Sequence, residues 1–180
     1  IRDAIVSGGD PLSLPLEQLD FILGELRSVP HIEIIRIGTR VPVVLPMKVT
    51  PELVAVLEKH GPIWLNTQFN HPREVTPEAA AAVDRLLRAG VPVNNQTVLL
   101  RRVNDNPRTM LALNHALLRA KIRPYYLFQC DPVIGAEHFR TTVDAGLKIM
   151  SAMRGHTSGL ALQTYVIDLP GGGGYEVTYF

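Results

Sequence analysis

No two strand-like segments of this chain lie close enough together to form a hairpin. Each apolar, β-branched run is followed by a polar loop and a helix-patterned segment, and the next run returns after about thirty residues, the length of a strand–helix–strand unit. The strand candidates are Ala4–Val6, Ile32–Ile37, Ile63–Phe69, Val91–Leu100, Pro124–Gln129 and Gly159–Ile167. Between them, Leu16, Leu19, Ile22, Leu23 and Leu26 form a helical stripe, and Thr50-Pro51-Glu52 and Thr76-Pro77-Glu78 each read as a cap with proline at the first helical position. Asn106-Pro107 opens another helix, and a last one runs from about Thr142 to Arg154. Such alternation dictates parallel strands joined by right-handed helical crossovers, either closed toward a barrel or left as an open doubly wound sheet. Polar residues follow nearly every strand: Ser7, Thr39-Arg40, Asn66 to Gln68, Gln129 to Asp131, and Asp168. A ring of that kind is the mouth of a barrel, so the expected fold is α/β and barrel-like.

The 180 residues are enough for one sizeable core, and a single barrel domain over residues 1–180 is expected. A formal net charge of +1 removes the electrostatic case for nucleic acid or an anionic membrane surface as partner. No apolar run approaches the ~20 residues of a membrane span. The single cysteine, Cys130, excludes an internal disulfide framework and suits a reducing cytoplasm, which is the expected location. The first residue is Ile1, and Val177 to Phe180 has the pattern of a strand, so the chain is expected to be part of a longer one.

Several positions can carry chemistry. Gly8 and Gly9 follow the first strand directly, where paired glycines permit a tight turn and close approach of another molecule, and Asp10 stands beside them. Asp131 and Asp168 each follow an apolar strand; two carboxylates there can hold an ammonium or a cation, act as an acid–base pair, or simply cap helices. Asn94, Asn95 and Gln96 interrupt an apolar strand and need either a polar ligand or buried partners. The loop histidines His71, His138 and His156 match no zinc spacing, and Cys130 has no recognisable base partner. Gly171 to Gly174 allows close backbone approach to an anion but lacks the Lys-Ser/Thr of a phosphate-binding loop.

Taken together, the loop sequences resemble the lysine 2,3-aminomutase family. The resemblance is carried by Ser7-Gly8-Gly9-Asp10-Pro11-Leu12, Arg36-Ile37-Gly38-Thr39-Arg40-Val41-Pro42, Asn66-Thr67-Gln68-Phe69-Asn70-His71-Pro72 and Asn95-Gln96-Thr97-Val98-Leu99-Leu100-Arg101. It continues through Arg123-Pro124-Tyr125-Tyr126, Arg154-Gly155-His156-Thr157-Ser158-Gly159 and Asp168-Leu169-Pro170-Gly171-Gly172-Gly173-Gly174, in order along the whole chain. The resemblance implies a partial (β/α)6 barrel of the radical S-adenosylmethionine type. It also implies three cofactors: S-adenosylmethionine, a [4Fe–4S] cluster that cleaves it to a 5′-deoxyadenosyl radical, and pyridoxal phosphate holding the amino acid. The implied reaction moves the amino group of lysine, or another basic amino acid, from C2 to C3. On this resemblance Ser7, Gly8, Gly9, Asp10, Gln68 and Gln96 meet S-adenosylmethionine, and Asp131 and Asp168 hold the substrate's distal ammonium. A small-molecule amino-acid substrate and a homo-oligomer are the expected partners.

The chain departs from the family pattern in three places. It has no Cys-x3-Cys-x2-Cys loop for the cluster, which in the family lies just upstream of the position of Ile1. Tyr175 stands where the family has its pyridoxal lysine, and a tyrosine cannot form the imine. Gln68 replaces a histidine found in some members, and its amide can still hydrogen-bond. Tyr175 keeps open a family member that works without pyridoxal phosphate, and the missing cysteines keep open a non-catalytic ligand-binding barrel.

Overall fold

The computed structural model describes residues 1–168 in full and the backbone of residues 174–176. The elements are β1 (Asp3–Val6), α1 (Leu16–Ser28), β2 (Ile34–Gly38), a short α2 (Val41–Val44), α3 (Pro51–Lys59), β3 (Ile63–Thr67), α4 (Pro77–Arg88) and β4 (Val93–Leu99). They continue with α5 (Pro107–Arg119), β5 (Arg123–Gln129), α6 (Val143–Met153), β6 (Thr164–Asp168) and β7 (Gly174–Glu176). Strand order follows chain order, β1-β2-β3-β4-β5-β6-β7. The chain groups into two compact units. One comprises Ile1–Thr67 and Thr76–Asn94, the other Gln68–Val75 and Asn95–Phe180.

In the first unit β1, β2 and β3 are parallel, with Ile5 level with Arg36 and Arg36 level with Trp64. Alternation along the strands separates two faces. Ile35, Ile37, Ile63 and Leu65 are buried, together with Leu19 and Leu23 of α1, Leu53 and Leu57 of α3, and Ala82, Val83 and Leu86 of α4. Burying a large aliphatic side chain stabilises by about 1.5–3 kcal/mol, so this layer dominates the unit's stability. The opposite face is open: Ile5 is 55% exposed and Trp64 43%, and Arg36 bridges to Asp3 at 2.8 Å. The Thr-Pro-Glu caps form as expected, with Thr50 Oγ1 accepting from Leu53 N and Thr76 Oγ1 from Ala79 N.

In the second unit β5 and β6 are parallel, Leu127 lying level with Tyr165 and Phe128 with Val166. Met110, Leu113 and Leu117 of α5 and Ile149, Met150 and Met153 of α6 are buried on the same side as Leu127 and Tyr165. Gly146 of α6 is obligatory: a Cβ there would stand 2.6 Å from Tyr165 Cε1 and nearer still to the phenol carbon and oxygen. One expectation needs correction: Gly159–Ala161 is a 3-10 turn capped by Ser158, so the sixth strand begins only at Thr164. The pairings of β1 with β2, β2 with β3 and β5 with β6 are parallel as expected, and an additional strand, β7, pairs antiparallel with β6, Asp168 opposite Gly174. Glycine-rich sequence carries no apolar alternation from which that strand could be read.

Candidate functional site

Gly8 and Gly9 adopt φ of +92° and +56°, in the left-handed region that glycine alone enters without cost. Nothing lies within 4 Å of where a Cβ would stand on either, so the turn is an open backbone cradle. Ser7 before it is exposed. The Asp10 carboxylate, which sequence reasoning places on the ligand edge, is instead occupied within the protein. Its Oδ1 accepts from Leu12 N at 3.1 Å and from Thr39 Oγ1 at 2.6 Å, and its Oδ2 accepts from Arg40 N at 2.7 Å. Thr39 Oγ1 in turn accepts from Val41 N at 3.0 Å. Asp10 therefore ties the turn after β1 to the turn after β2, leaving the glycine backbone as the surface a ligand can meet.

The remaining site residues lie in the second unit. Gln68 follows β3 and Gln96 lies in β4; both are half-buried. Asn95, completely buried, does not face a ligand: its Oδ1 accepts from Phe69 N at 2.7 Å and its Nδ2 donates to Phe69 O at 3.0 Å. Asn70 and the buried Asn104 extend this fixing, Val98 N donating to Asn70 Oδ1 and Asn104 Nδ2 donating to Asn70 O, each at 2.8 Å. In the first unit, Asn94 Nδ2 donates to Asn66 Oδ1 at 3.3 Å.

Asp131 and Asp168 are both exposed, just after β5 and at the end of β6. Continuing the register from Phe128 and Val166, Asp168 falls level with Cys130, so both acids stand at the carboxyl ends of adjacent parallel strands. Beneath them Gln129 is buried, accepting Tyr165 Oη at 2.5 Å and donating to Thr141 O at 2.7 Å. The bond to Thr141 ties the start of the loop after Asp131 to its end, and the bond from Tyr165 anchors that closure to β6. Burial, and secondarily the neighbouring Asp131 carboxylate, push the Cys130 thiol up, which makes it a poor nucleophile at neutral pH. Gly171 to Gly173 lie outside the described residues, and of Tyr175 only the backbone, in β7, is described.

Sequence reasoning missed Thr39, Gln129 and Asn104 as organisers of these loops; for Thr39 and Gln129 a polar residue at the end of an apolar strand is the available signal, and for Asn104, five residues past β4, there is none. His60, just past the end of α3, belongs to a further side-chain cluster. His60 Nε2 lies 2.6 Å from Asp20 Oδ1, and Lys59 Nζ reaches the same carboxylate at 2.8 Å. These bonds, Lys59 first and His60 second, hold Asp20 below the usual carboxylate range. A shallow groove of about 310 Å³ beside it is lined from α1 and α3 alone and includes none of the site residues.

Among the described residues no group of three or more His, Cys, Asp or Glu side chains could hold a metal ion. One buried cysteine cannot by itself ligate a [4Fe–4S] cluster. Tyr175 carries no amine for a pyridoxal imine. In the first unit the open Gly8–Gly9 backbone, and in the second the half-buried Gln68 and Gln96 amides, are groups able to hydrogen-bond a polar ligand such as S-adenosylmethionine. No helix among the described residues is long and apolar enough to cross a membrane.

The fold is shared with solved radical S-adenosylmethionine enzymes. Streptococcus suis SuiB bound to S-adenosylmethionine superposes with a TM-score of 0.63 over 92% of this chain and 39% of its own, at 12% identity. A radical SAM methyltransferase from Sphaerobacter thermophilus gives 0.54 over 74% of this chain and 40% of its own, at 19% identity. The architecture is therefore the partial parallel barrel of the radical S-adenosylmethionine type. Sequence narrows the class. The L-lysine 2,3-aminomutase of Fusobacterium nucleatum is 56% identical over 97% of this chain and 41% of its own length, and that of Clostridium subterminale is 53% identical over 97% and 42%. A glutamate 2,3-aminomutase of Clostridioides difficile is 46% identical over the same 97%, covering 41% of its own length. A family model described as lysine-2,3-aminomutase matches residues 150–178. These 180 residues are thus similar in sequence to lysine 2,3-aminomutases along 97% of their length, and they span less than half the length of those relatives.

Proposed function

We propose that the chain is the barrel portion of an isomerase that converts L-lysine to β-lysine. The observation that carries this reading is the pair Asp131 and Asp168 at neighbouring strand ends, within a sequence 56% identical to an L-lysine 2,3-aminomutase. S-adenosylmethionine, when bound and reductively cleaved, would supply a carbon radical able to take hydrogen from an unactivated carbon. The chain's own residues bind and orient. The Gly8–Gly9 backbone receives the methionine end of the ligand, with Ser7 beside it, and Gln68 and Gln96 offer amides to its polar groups. Asp131 and Asp168 receive the distal ammonium of lysine. Two acids facing one cation form charge-assisted hydrogen bonds, whereas the side-chain carboxylate of glutamate would meet like charge. The reading therefore favours a basic substrate over the glutamate used by the Clostridioides relative.

Tyr175 favours a second reading, a radical enzyme of the same family in which pyridoxal phosphate is not attached at this position. The intact natural protein, reconstituted with iron and sulfide and supplied with S-adenosylmethionine, pyridoxal phosphate and lysine, tests both. Formation of β-lysine supports the first reading. Turnover of S-adenosylmethionine without amino migration supports the second, and neither product removes both in favour of a ligand-binding barrel. A cytoplasmic setting and self-association into a homo-oligomer belong to the same proposal. The single thiol supports the first, and the open apolar face bearing Ile5 and Trp64 supports the second.

A further inference from the structure

We infer that Asn95 and Thr97 are positioning residues for S-adenosylmethionine binding, setting the placement of Gln68 against Gln96 through a side-chain clamp on Phe69. The inference rests on the proposed role of those two glutamines. Asn95 and Thr97 are 0% and 1% exposed, on the buried face of β4, while Gln96 between them points to the other face and is half-buried. Phe69 N donates to Asn95 Oδ1 at 2.7 Å. Asn95 Nδ2 donates one hydrogen to Phe69 O at 3.0 Å and the other to Thr97 Oγ1 at 2.8 Å, and the Thr97 hydroxyl donates to Phe69 O at 3.2 Å. Every polar atom of the Asn95 side chain is thus used, in the manner of a peptide group on a neighbouring strand.

The two anchored atoms belong to different peptide planes. Phe69 N lies in the plane shared with Gln68, and Phe69 O in the plane shared with Asn70. Fixing both sets φ and ψ of Phe69, and because each peptide plane is rigid it also fixes the plane that contains Gln68 Cα, C and O. The same asparagine sits next to Gln96 in the strand. One side chain therefore determines how far apart the two glutamine backbones lie, without itself reaching a ligand. A buried hydrogen-bond set of this kind is costly to leave half-made, so it holds one arrangement rather than several.

The test uses the intact natural protein reconstituted with its cluster. The dissociation constant of S-adenosylmethionine is measured by equilibrium dialysis for wild type, Asn95→Asp, Thr97→Val, Thr97→Ser and Asn114→Leu. Asn114 is a control of equal burial, its Nδ2 donating to Ala161 O. Asn95→Asp keeps the acceptor and loses both donors; Thr97→Val keeps the shape and loses the hydroxyl. The expected result is a weakening of about 10- to 100-fold for these two, the usual scale when support behind a ligand-contacting group is removed. Thr97→Ser should bind within about twofold of wild type, and Asn114→Leu should lose thermal stability yet bind normally. The apparent KM for S-adenosylmethionine should rise in the weakened variants while kcat at saturation is retained. If Asn95→Asp does not fold, the Thr97 pair decides. Wild-type binding with equally tight Thr97→Val, or with Thr97→Ser as weak as Thr97→Val, overturns the inference. No binding by wild type overturns instead the functional reading beneath it.

Discussion

Replacing Gly146 by alanine examines how firmly the loop carrying Asp131 is held. The added Cβ would stand 2.6 Å from Tyr165 Cε1, where ordinary contacts begin at 3.4 Å, so the ring must withdraw by roughly 1 Å. Tyr165 is 2% exposed, and its hydroxyl donates to Gln129 Oε1 at 2.5 Å, so withdrawal strains a closed pocket and breaks that bond. Overpacking costs about 1–3 kcal/mol and the hydrogen bond about 1 kcal/mol, while the better helix propensity of alanine returns about 1 kcal/mol. The net expectation is a loss of about 2 kcal/mol, or about 1 M in the urea midpoint at a slope near 2 kcal/mol/M. Tyr165→Leu removes the obstructing phenol, so the double variant should be less destabilised than the sum of the singles by about 1–2 kcal/mol. Urea unfolding of the four proteins, followed by far-ultraviolet circular dichroism, measures this. A midpoint shift for Gly146→Ala below about 0.3 M, or strict additivity in the double variant, would refute the reasoning.

Thr39→Val should destabilise by about 1–2 kcal/mol and Thr39→Ser by much less, since only the hydroxyl links Asp10 to Val41 N; equal urea midpoints for the two would remove that link. Under the proposed function, Asp131→Asn and Asp168→Asn should each raise the KM for lysine of the intact natural protein about tenfold, the loss of about 1.4 kcal/mol, with S-adenosylmethionine affinity unchanged. Unaltered KM values in both would dissociate these acids from the substrate. The raised Cys130 thiol binds its proton more tightly folded than unfolded, so its contribution is complete below the unfolded pKa of about 8.5 and is lost as pH climbs through the folded value. Cys130→Ser should accordingly flatten the fall in urea midpoint between pH 7.5 and 9.5, and an unchanged fall would show that another group governs it.

The parts of the fold that announce themselves do so through short-range chemistry. Thr50-Pro51-Glu52 and Thr76-Pro77-Glu78 combine a side-chain acceptor with a proline that needs no amide partner, and both helices begin there. The period-2 burial of β4, with Asn95 and Thr97 in and Gln96 half-out, also follows from the strand alone. What a single amide or carboxylate bonds to does not. Asp10 looks like a ligand group because glycines precede it, but its partners Thr39 and Arg40 lie about thirty residues away and become visible only when β1 and β2 are paired. Prolines at 42 and 46 hid the helical turns of residues 41–48, and an apolar Leu160-Ala161-Leu162 mimicked the start of a strand that begins at Thr164.

The grouping of Gln68–Val75 with residues after Asn95 has a temporal meaning. These eight residues leave the ribosome ahead of the side chains that anchor Phe69 N, Phe69 O and Asn70 O: Asn95, Thr97 and Asn104 are synthesised later, beyond the whole of α4. At a synthesis rate of about 5–20 residues per second, the Phe69 backbone waits a few seconds for those partners. Its geometry is therefore settled late, as β4 arrives, and Gln68 and Gln96 acquire their relation to each other in one event rather than two.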